Sequence, residues 1–173
     1  MMRRALTEAL FVARNREVFG RKLIDLPLMR RQLLKLMLPA EAARSVLMFT
    51  AIELEKADAG DELAQRRVRL LTPLIKFRAC RDARRVTGDA MEVRGGVGYT
   101  EERSDPRLLR DAHLGSIWEG TSNIVTLDVL RAIRRELRKP REVFMSSWHG
   151  RLQIASLLYS LPDEASQADR TFT

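Results

Sequence analysis

The sequence contains a single cysteine, Cys80, so no disulfide can form within the chain. A reducing compartment suits such a chain, and we predict a cytoplasmic location. No stretch approaches the about 20 apolar residues of a membrane-spanning helix, so we expect no membrane partner. The N-terminal segment MMRRALTEAL lacks the apolar core and small-residue cleavage site of a secretory signal.

Lysine is also scarce, because five lysines stand beside 26 arginines and the net charge is +8. The arginines form scattered pairs at Arg3-Arg4, Arg30-Arg31, Arg66-Arg67, Arg84-Arg85 and Arg134-Arg135. Such a surface would suit a polyanion such as nucleic acid, CoA phosphate or a dinucleotide. Because the pairs are scattered rather than clustered, a solvated helical surface is the favoured interpretation.

Strand patterns are nearly absent, and apolar residues repeat at helical spacing in four segments. The first segment ends near Phe19-Gly20, and the second covers residues 27–58. The third ends near Arg94, and the fourth begins after Thr121-Ser122-Asn123. Short connections between long amphipathic helices predict an all-α fold, an antiparallel up-and-down four-helix bundle.

The second segment has the most regular apolar pattern. Its seam consists of Leu33, Leu36, Ala40, Ala43, Leu47, Thr50 and Leu54. A further apolar face with Leu34 and Leu38 predicts a helix buried between neighbours. Pro39 should kink this helix, and Thr72-Pro73 should kink or restart the third. The residues predicted to be buried are Leu33, Leu36, Leu47, Ile75, Val86 and Leu127.

Residues 95–120 have weak periodicity and are predicted to form a long functional loop. Gly95-Gly96-Val97-Gly98 permits positive φ and close backbone approach to a ligand, although for this motif alone a helix-terminating turn is the favoured explanation. Glu119 lies between Trp118 and Gly120, where an apolar ring would desolvate the carboxylate and make it a better general base. For Glu119 taken alone, the favoured interpretation is an acidic residue stabilised at a helix N-terminus.

Four motifs occur in a fixed order: Arg16-x-x-Phe19-Gly20, Gly95-Gly96-Val97-Gly98-Tyr99, Arg110-Asp111-Ala112 and Trp118-Glu119-Gly120-Thr121-Ser122-Asn123-Ile124. Together they resemble the C-terminal helical domain of the acyl-CoA dehydrogenase and oxidase superfamily. The resemblance covers about residues 1–139, which we predict to be that domain, and leaves 140–173 as a poorly matched tail. Full chains of the superfamily also contain an N-terminal helical domain and a middle β-domain.

The resemblance implies a role for each matching residue. Glu119 corresponds to the base that takes the α-proton of an acyl thioester while the β-hydrogen leaves as hydride to flavin N5. Arg16 and Phe19 correspond to residues that contact the FAD of a neighbouring subunit. The other cofactor-binding positions implied are Glu92, Gly95, Gly96, Thr121 and Asn123.

The cofactor implied is FAD, the substrate is an acyl-CoA, and the assembly is a homo-oligomer, either a dimer or a tetramer. No metal site is expected, because His113 and His149 are isolated and lack metal-ligand spacing. The isolated chain is expected to be inactive, because the missing domains form most of the substrate cavity.

One position departs from the superfamily pattern, because Glu92 replaces the glutamine that many members carry three residues before the glycine pair. Its carboxylate would repel a diphosphate unless Arg94 or another cation offsets it. The surrounding run resembles a branch of flavoproteins of the adaptive response to DNA alkylation. A DNA-associated flavoprotein with double-stranded DNA as partner, or a truncated oligomerisation module, are therefore the alternatives.

Overall fold

The structure is a computed structural model that describes residues 1–136. Its five helices are α1 (Met2–Asn15), α2 (Pro27–Asp58), α3 (Glu62–Arg94), α4 (Asp105–Gly115) and α5 (Ser122–Glu136). A two-stranded antiparallel hairpin, β1 (Glu17–Val18) and β2 (Arg21–Lys22), connects α1 to α2 through a short 3-10 turn. The predicted all-α class is therefore confirmed. The boundary predicted at residues 139 and 140 and the tail beyond it lie outside the described residues.

The described residues divide into two compact units. The first contains residues 1–45 and 79–119, and the second contains residues 46–78 and 120–136. No helix within residues 1–136 is long and apolar enough to cross a membrane. Each unit has its own apolar core, and the two are described separately.

The core of the first unit joins α1, the start of α2 and the end of α3. Small side chains such as Ala5, Ala9 and Ala13 on α1 are fully buried and allow its neighbours to approach closely. Among the described residues, the buried members of this core are Ala5, Leu6, Ala9, Val12, Ala13, Leu23, Leu33, Leu36, Val86, Ala90 and Val93. The predictions of burial for Leu33, Leu36 and Val86 are therefore confirmed.

The second unit has a smaller core, made of Leu70, Leu74, Val129 and Ala132. It also buries Glu53, which is 1% exposed and accepts hydrogen bonds from Lys56 at 2.8 Å and Arg67 at 2.9 Å. Burial by itself disfavours the charged carboxylate. The two hydrogen bonds outweigh that effect and hold the pKa of Glu53 below its usual value.

Several predictions about the second helix were wrong. Leu47 and Leu54 are 55% and 48% exposed, because the buried row of α2 continues through Val46, Thr50 and Glu53 instead. Both Val46, three residues after Ala43, and Leu47, four residues after it, can continue the same helix face. Contacts with neighbouring elements determine which of the two is buried.

The second apolar face of α2 was also wrongly predicted to be buried, because Leu34 is 50% and Leu38 is 65% exposed. Ile75 and Leu127 are half-buried rather than buried. α2 continues through Pro39, and α3 continues through Pro73 without a restart.

The region predicted to be a long loop contains a helix. Gly96–Tyr99 form a 3-10 turn, and α4 occupies Asp105–Gly115. Asp105 and Pro106 in its first turn are a typical helix-start signal that the weak periodicity obscured. The first helix also ends earlier than predicted, at Asn15, and Phe19-Gly20 lies in the hairpin turn.

We expect Leu36→Ala to lower the free energy of unfolding by about 2–5 kcal/mol, since its side chain is fully enclosed. Leu38→Ala provides a matched control on the same helix, because its side chain is 65% exposed and its loss should cost no more than about 0.5 kcal/mol. Urea denaturation of both variants measures the difference. Equal losses would contradict the burial of Leu36.

Candidate functional site

The hairpin after α1 displays an aromatic ring in an unfavourable backbone conformation. Its two-residue turn consists of Phe19 and Gly20, with φ of 52° and 69°. Two positive φ values define a type I′ turn, which normally takes asparagine, aspartate or glycine first. A left-handed conformation costs a phenylalanine about 1–2 kcal/mol. Phe19 is nevertheless 95% exposed, so packing against residues 1–136 does not offset this cost.

Arg16 connects this hairpin to the end of α3. Its Nη1 donates a hydrogen bond to the carbonyl oxygen of Arg94 at 3.0 Å, and a Cβ built on Gly95 would lie 3.5 Å from the same nitrogen. The Arg16 residue is exposed, and no carboxylate within residues 1–136 pairs with it. The guanidinium therefore keeps donors that face solvent. The predicted neighbours Arg16 and Gly95 are brought together.

The glycines of the GGVG motif serve different purposes. Gly95 has φ 72° and ψ −157°, a region that is essentially restricted to glycine. A Cβ on Gly98 would lie 2.5 Å from the carbonyl oxygen of Met91, so close packing against α3 requires glycine there. Gly96 has neither constraint, because a Cβ there would meet nothing within 4 Å. No contact within the described residues therefore requires glycine at position 96.

Arg94 forms the principal ionic contact beneath the glycine pair. Its Nη2 donates to Glu8 at 2.9 Å and its Nε donates to Asp105 at 3.0 Å. Asp105 is 3% exposed, and Arg94 is 14% exposed. From the sequence, Arg94 was a candidate cation that would offset the negative charge of Glu92. This pairing is not observed, because the Arg94 guanidinium binds the carboxylates of Glu8 and Asp105 instead. The Glu92 side chain is exposed.

The motif residue Arg110 belongs to a solvent-facing pair. Its two terminal nitrogens lie 2.7 and 3.1 Å from the carboxylate oxygens of Glu101. This bidentate hydrogen bonding holds the pKa of Glu101 below its usual value. Both side chains are more than half exposed, so the pair anchors the turn before α4 without forming part of a buried core.

Glu119 follows α4 in a second left-handed turn. Its φ is 52°, and the next residue, Gly120, has φ 101°. Within residues 1–136, Phe19 and Glu119 are the non-glycine residues with positive φ. The backbone N–H of Glu119 has no acceptor within the described residues, whereas the preceding N–H of Trp118 donates to Leu114 at 3.1 Å. The turn thus leaves one amide donor available beside a carboxylate.

The desolvation of Glu119 expected from Trp118 is not observed. Glu119 is exposed, and the Trp118 side chain is itself 55% exposed. The isolated domain therefore positions this carboxylate without enclosing it. Any enclosure must come from chain outside the described residues or from a second copy.

Thr121 and Asn123 lie at the start of α5 in the second unit. Both residues are exposed, and the Thr121 carbonyl oxygen accepts the N–H of Val125 at 3.0 Å. Their side chains remain available to a ligand. The residues that sequence reasoning missed are the two carboxylate partners of Arg94, the half-buried Glu8 and the buried Asp105. Neither spacing nor motif marks Glu8, because its partner is 86 positions away.

Comparison with known proteins identifies the class to which this fold and these motifs belong. Residues 1–134 match the family described as "Acyl-CoA dehydrogenase, C-terminal domain". The chain belongs to the acyl-CoA dehydrogenase family, and it corresponds to the C-terminal domain. It is 43% identical over 137 residues to the putative acyl-CoA dehydrogenase AidB of Escherichia coli, an alignment that covers 79% of this chain and 25% of that protein.

Solved structures agree with this assignment and confirm the helical-bundle fold. The apo-form of Bd2924 superposes with a TM-score of 0.81 at 30% identity, covering 96% of this chain and 34% of that chain. Caenorhabditis elegans ACDH-11 in complex with C11-CoA gives a TM-score of 0.79 at 30% identity, covering 98% and 28%. The chain spans about a quarter of the length of the curated relatives, with 25% and 21% of the first two.

Proposed function

We propose that this domain contributes the base and part of the cofactor site to an FAD-dependent enzyme that dehydrogenates an acyl-CoA at its α and β carbons. The observation that carries the proposal is that Phe19 and Glu119, two residues selected by motif, are the non-glycine residues of the described chain with a left-handed backbone. Strained backbone concentrates at functional sites. The complex of ACDH-11 with C11-CoA supports an acyl-CoA as the substrate class.

The residues near the glycine pair fit a diphosphate in most respects. The exposed Arg16 guanidinium offers forked donors that match phosphate oxygens, and Gly96 leaves open space for close approach. The exposed Glu92 carboxylate opposes the fit, because a like charge repels the diphosphate. When bound, FAD would accept the β-hydrogen as hydride at its N5 atom.

The chain's own part in the reaction is proton removal and stabilisation of the charge that follows. The Glu119 carboxylate takes the α-proton of the thioester, and the electron pair left on the α-carbon moves toward the carbonyl oxygen. The free backbone N–H of Glu119 donates to that oxygen as it becomes enolate-like. One residue thus supplies both the base and a donor for the developing negative charge.

The exposed apolar residues support a homo-oligomer. In the first unit Leu34, Met37 and Leu38 on α2 are 50%, 39% and 65% exposed. Together with the almost completely exposed Phe19, they form surface that another copy or a cofactor would cover. The remaining surface around a flavin would come from the parts of a full-length protein outside this domain.

We expect Arg16→Ala in the full-length protein to lower FAD affinity by about tenfold or more, because charge-assisted hydrogen bonds contribute about 1.5–3 kcal/mol. Arg14→Ala is the matched control, since Arg14 is also exposed and lies in the last turn of α1, two residues before Arg16. Flavin fluorescence during dialysis against FAD measures both affinities. Equal retention of flavin by the two variants would contradict the role of Arg16.

A second candidate function is a DNA-associated flavoprotein, in which arginines contact phosphates and Glu119 does little chemistry. It is favoured by three arginines that converge on one cavity of α3, described below. Native protein with negligible turnover and salt-sensitive binding to duplex DNA would support it. The logarithm of affinity should then fall linearly with the logarithm of salt concentration, because arginine–phosphate contacts release counterions.

A further inference from the structure

A cavity of the first unit is lined by basic residues outside the motifs described above. Its volume is about 350 Å³, and its lining residues are Arg81, Arg84, Arg85 and His113. All four side chains carry N–H donors, and among residues 1–136 no acidic or apolar residue lines the cavity. A lining of this kind cannot stabilise an acyl chain. It suits a compact anion with many acceptor oxygens.

The packing of α4 against α3 builds this cavity. A Cβ on Gly115 would lie 3.5 Å from the Sγ of Cys80, and a Cβ on Gly88 would lie 3.8 Å from Leu109. Residue numbers rise along one helix as they fall along the other, so the two helices run antiparallel. The arginines, spaced three and four residues apart, share one face of α3. His113 of α4 completes the lining between these two contact points.

Arg84 and Arg85 lack a close carboxylate partner among the ion pairs of the described chain. Arg85 lies 3.9 Å from Asp82, which is too far for a good hydrogen bond, and the Arg85 side chain is 54% exposed. Arg84 has no carboxylate partner within residues 1–136. Like charges three and four residues apart on a helix repel one another. A bound oxyanion would relieve that repulsion.

We propose that this cavity binds a phosphate-bearing anion through the guanidinium groups of α3 and the imidazole of His113. Guanidinium forks match the spacing of phosphate oxygens and donate paired, charge-assisted hydrogen bonds. The volume lies at the lower end of small-molecule sites, which is enough for a pyrophosphate-sized group. The site is independent of flavin and acyl-CoA, so it stands whether or not the proposed enzymatic function does.

Titration of the full chain with inorganic pyrophosphate by calorimetry tests the site. The double variant Arg81→Ser/Arg84→Ser should bind more weakly by about tenfold or more for each charge-assisted hydrogen bond lost. The control Arg3→Ser/Arg31→Ser removes the same charge at exposed positions elsewhere in the first unit and should bind like the wild type. Equal weakening in both variants, or no saturable binding by the wild type, overturns the proposal.

A chemical-protection experiment keeps the test valid if the serine variant does not fold. Phenylglyoxal modifies exposed arginines, and mass spectrometry locates each modified residue. Pyrophosphate should protect Arg84 and Arg85 of the native chain and leave Arg3 and Arg31 reactive. Protection that is absent, or equal at all four residues, contradicts the site.

A labelled DNA duplex distinguishes the two sources of phosphate. The DNA backbone is the physiological ligand if two results are obtained. Pyrophosphate displaces the duplex, and Arg81→Ser/Arg84→Ser reduces the slope of log affinity against log salt by about one for each arginine lost. If pyrophosphate binds in the cavity and the duplex is not displaced, the ligand is a small phosphate compound. Each of these results supports a phosphate site and assigns its source.

Discussion

Glu119→Gln in the full-length protein is expected to leave folding and flavin content unchanged and to slow acyl-CoA dehydrogenation by at least about 10²–10⁴-fold. Glutamine keeps the shape of the side chain and the backbone N–H but has no basic oxygen for the α-proton. Because this proton is only weakly acidic, the step cannot proceed at a comparable rate without a base. Steady-state turnover with an acyl-CoA and an artificial electron acceptor measures the loss.

The matched control for this experiment is Glu62→Gln, the same substitution at an exposed carboxylate in the first turn of α3. It should retain full turnover. Exchange of the α-hydrogen of bound acyl-CoA with heavy water gives a second readout that depends on proton removal alone. A Glu119→Gln variant that keeps most of its turnover and exchange would show that another group is the base.

Arg94→Met is expected to lower the free energy of unfolding by about 3–5 kcal/mol, the usual effect of removing one partner from a buried ion pair. The substitution removes the ionic partner of the Asp105 carboxylate. Because Asp105 is 3% exposed, water would not replace that partner. Glu8 would be less affected, because it also pairs with Arg4 at 2.7 Å. Chemical denaturation monitored by circular dichroism measures the change.

Two further variants separate charge from packing in this prediction. Arg110→Met removes an arginine from a similar carboxylate pair that is largely exposed, and it should have little effect on stability. Arg94→Met/Asp105→Asn should recover part of the stability lost in Arg94→Met, since the stranded charge is removed. A double variant as unstable as the sum of its single variants would contradict a direct interaction between Arg94 and Asp105.

The same contacts hold the glycine pair in place. Arg94 ends α3, its side chain is tied to α1 and α4, and its carbonyl oxygen accepts the hydrogen bond from Arg16. Gly95 then turns the chain in a conformation that other residues avoid. The exposed Arg16 guanidinium and the open space at Gly96 therefore lie on a fixed framework, which would reduce the ordering that the proposed cofactor site requires.

Helical periodicity in the amino-acid sequence was sufficient to predict the all-α class, the long second and third helices and the burial of Leu36, because local spacing determines which residues can share a helix face. The motifs were sufficient to select Arg16, Phe19, Gly95 and Glu119. Their joint order, rather than any single residue, carried the resemblance that the family comparison confirms.

Only the tertiary structure decided which of two equivalent rows of α2 is buried, because that choice depends on neighbours far away in the sequence. In the folded domain Val46 and Thr50 are buried and Leu47 is exposed. Arg94 pairs with Glu8, a partner that the sequence did not indicate. The tertiary structure also revealed the left-handed backbone of Phe19 and Glu119, which no residue type predicts. The chemistry of each side chain is known from the sequence alone, whereas burial, ionic partners and backbone strain depend on contacts that form only when the chain folds.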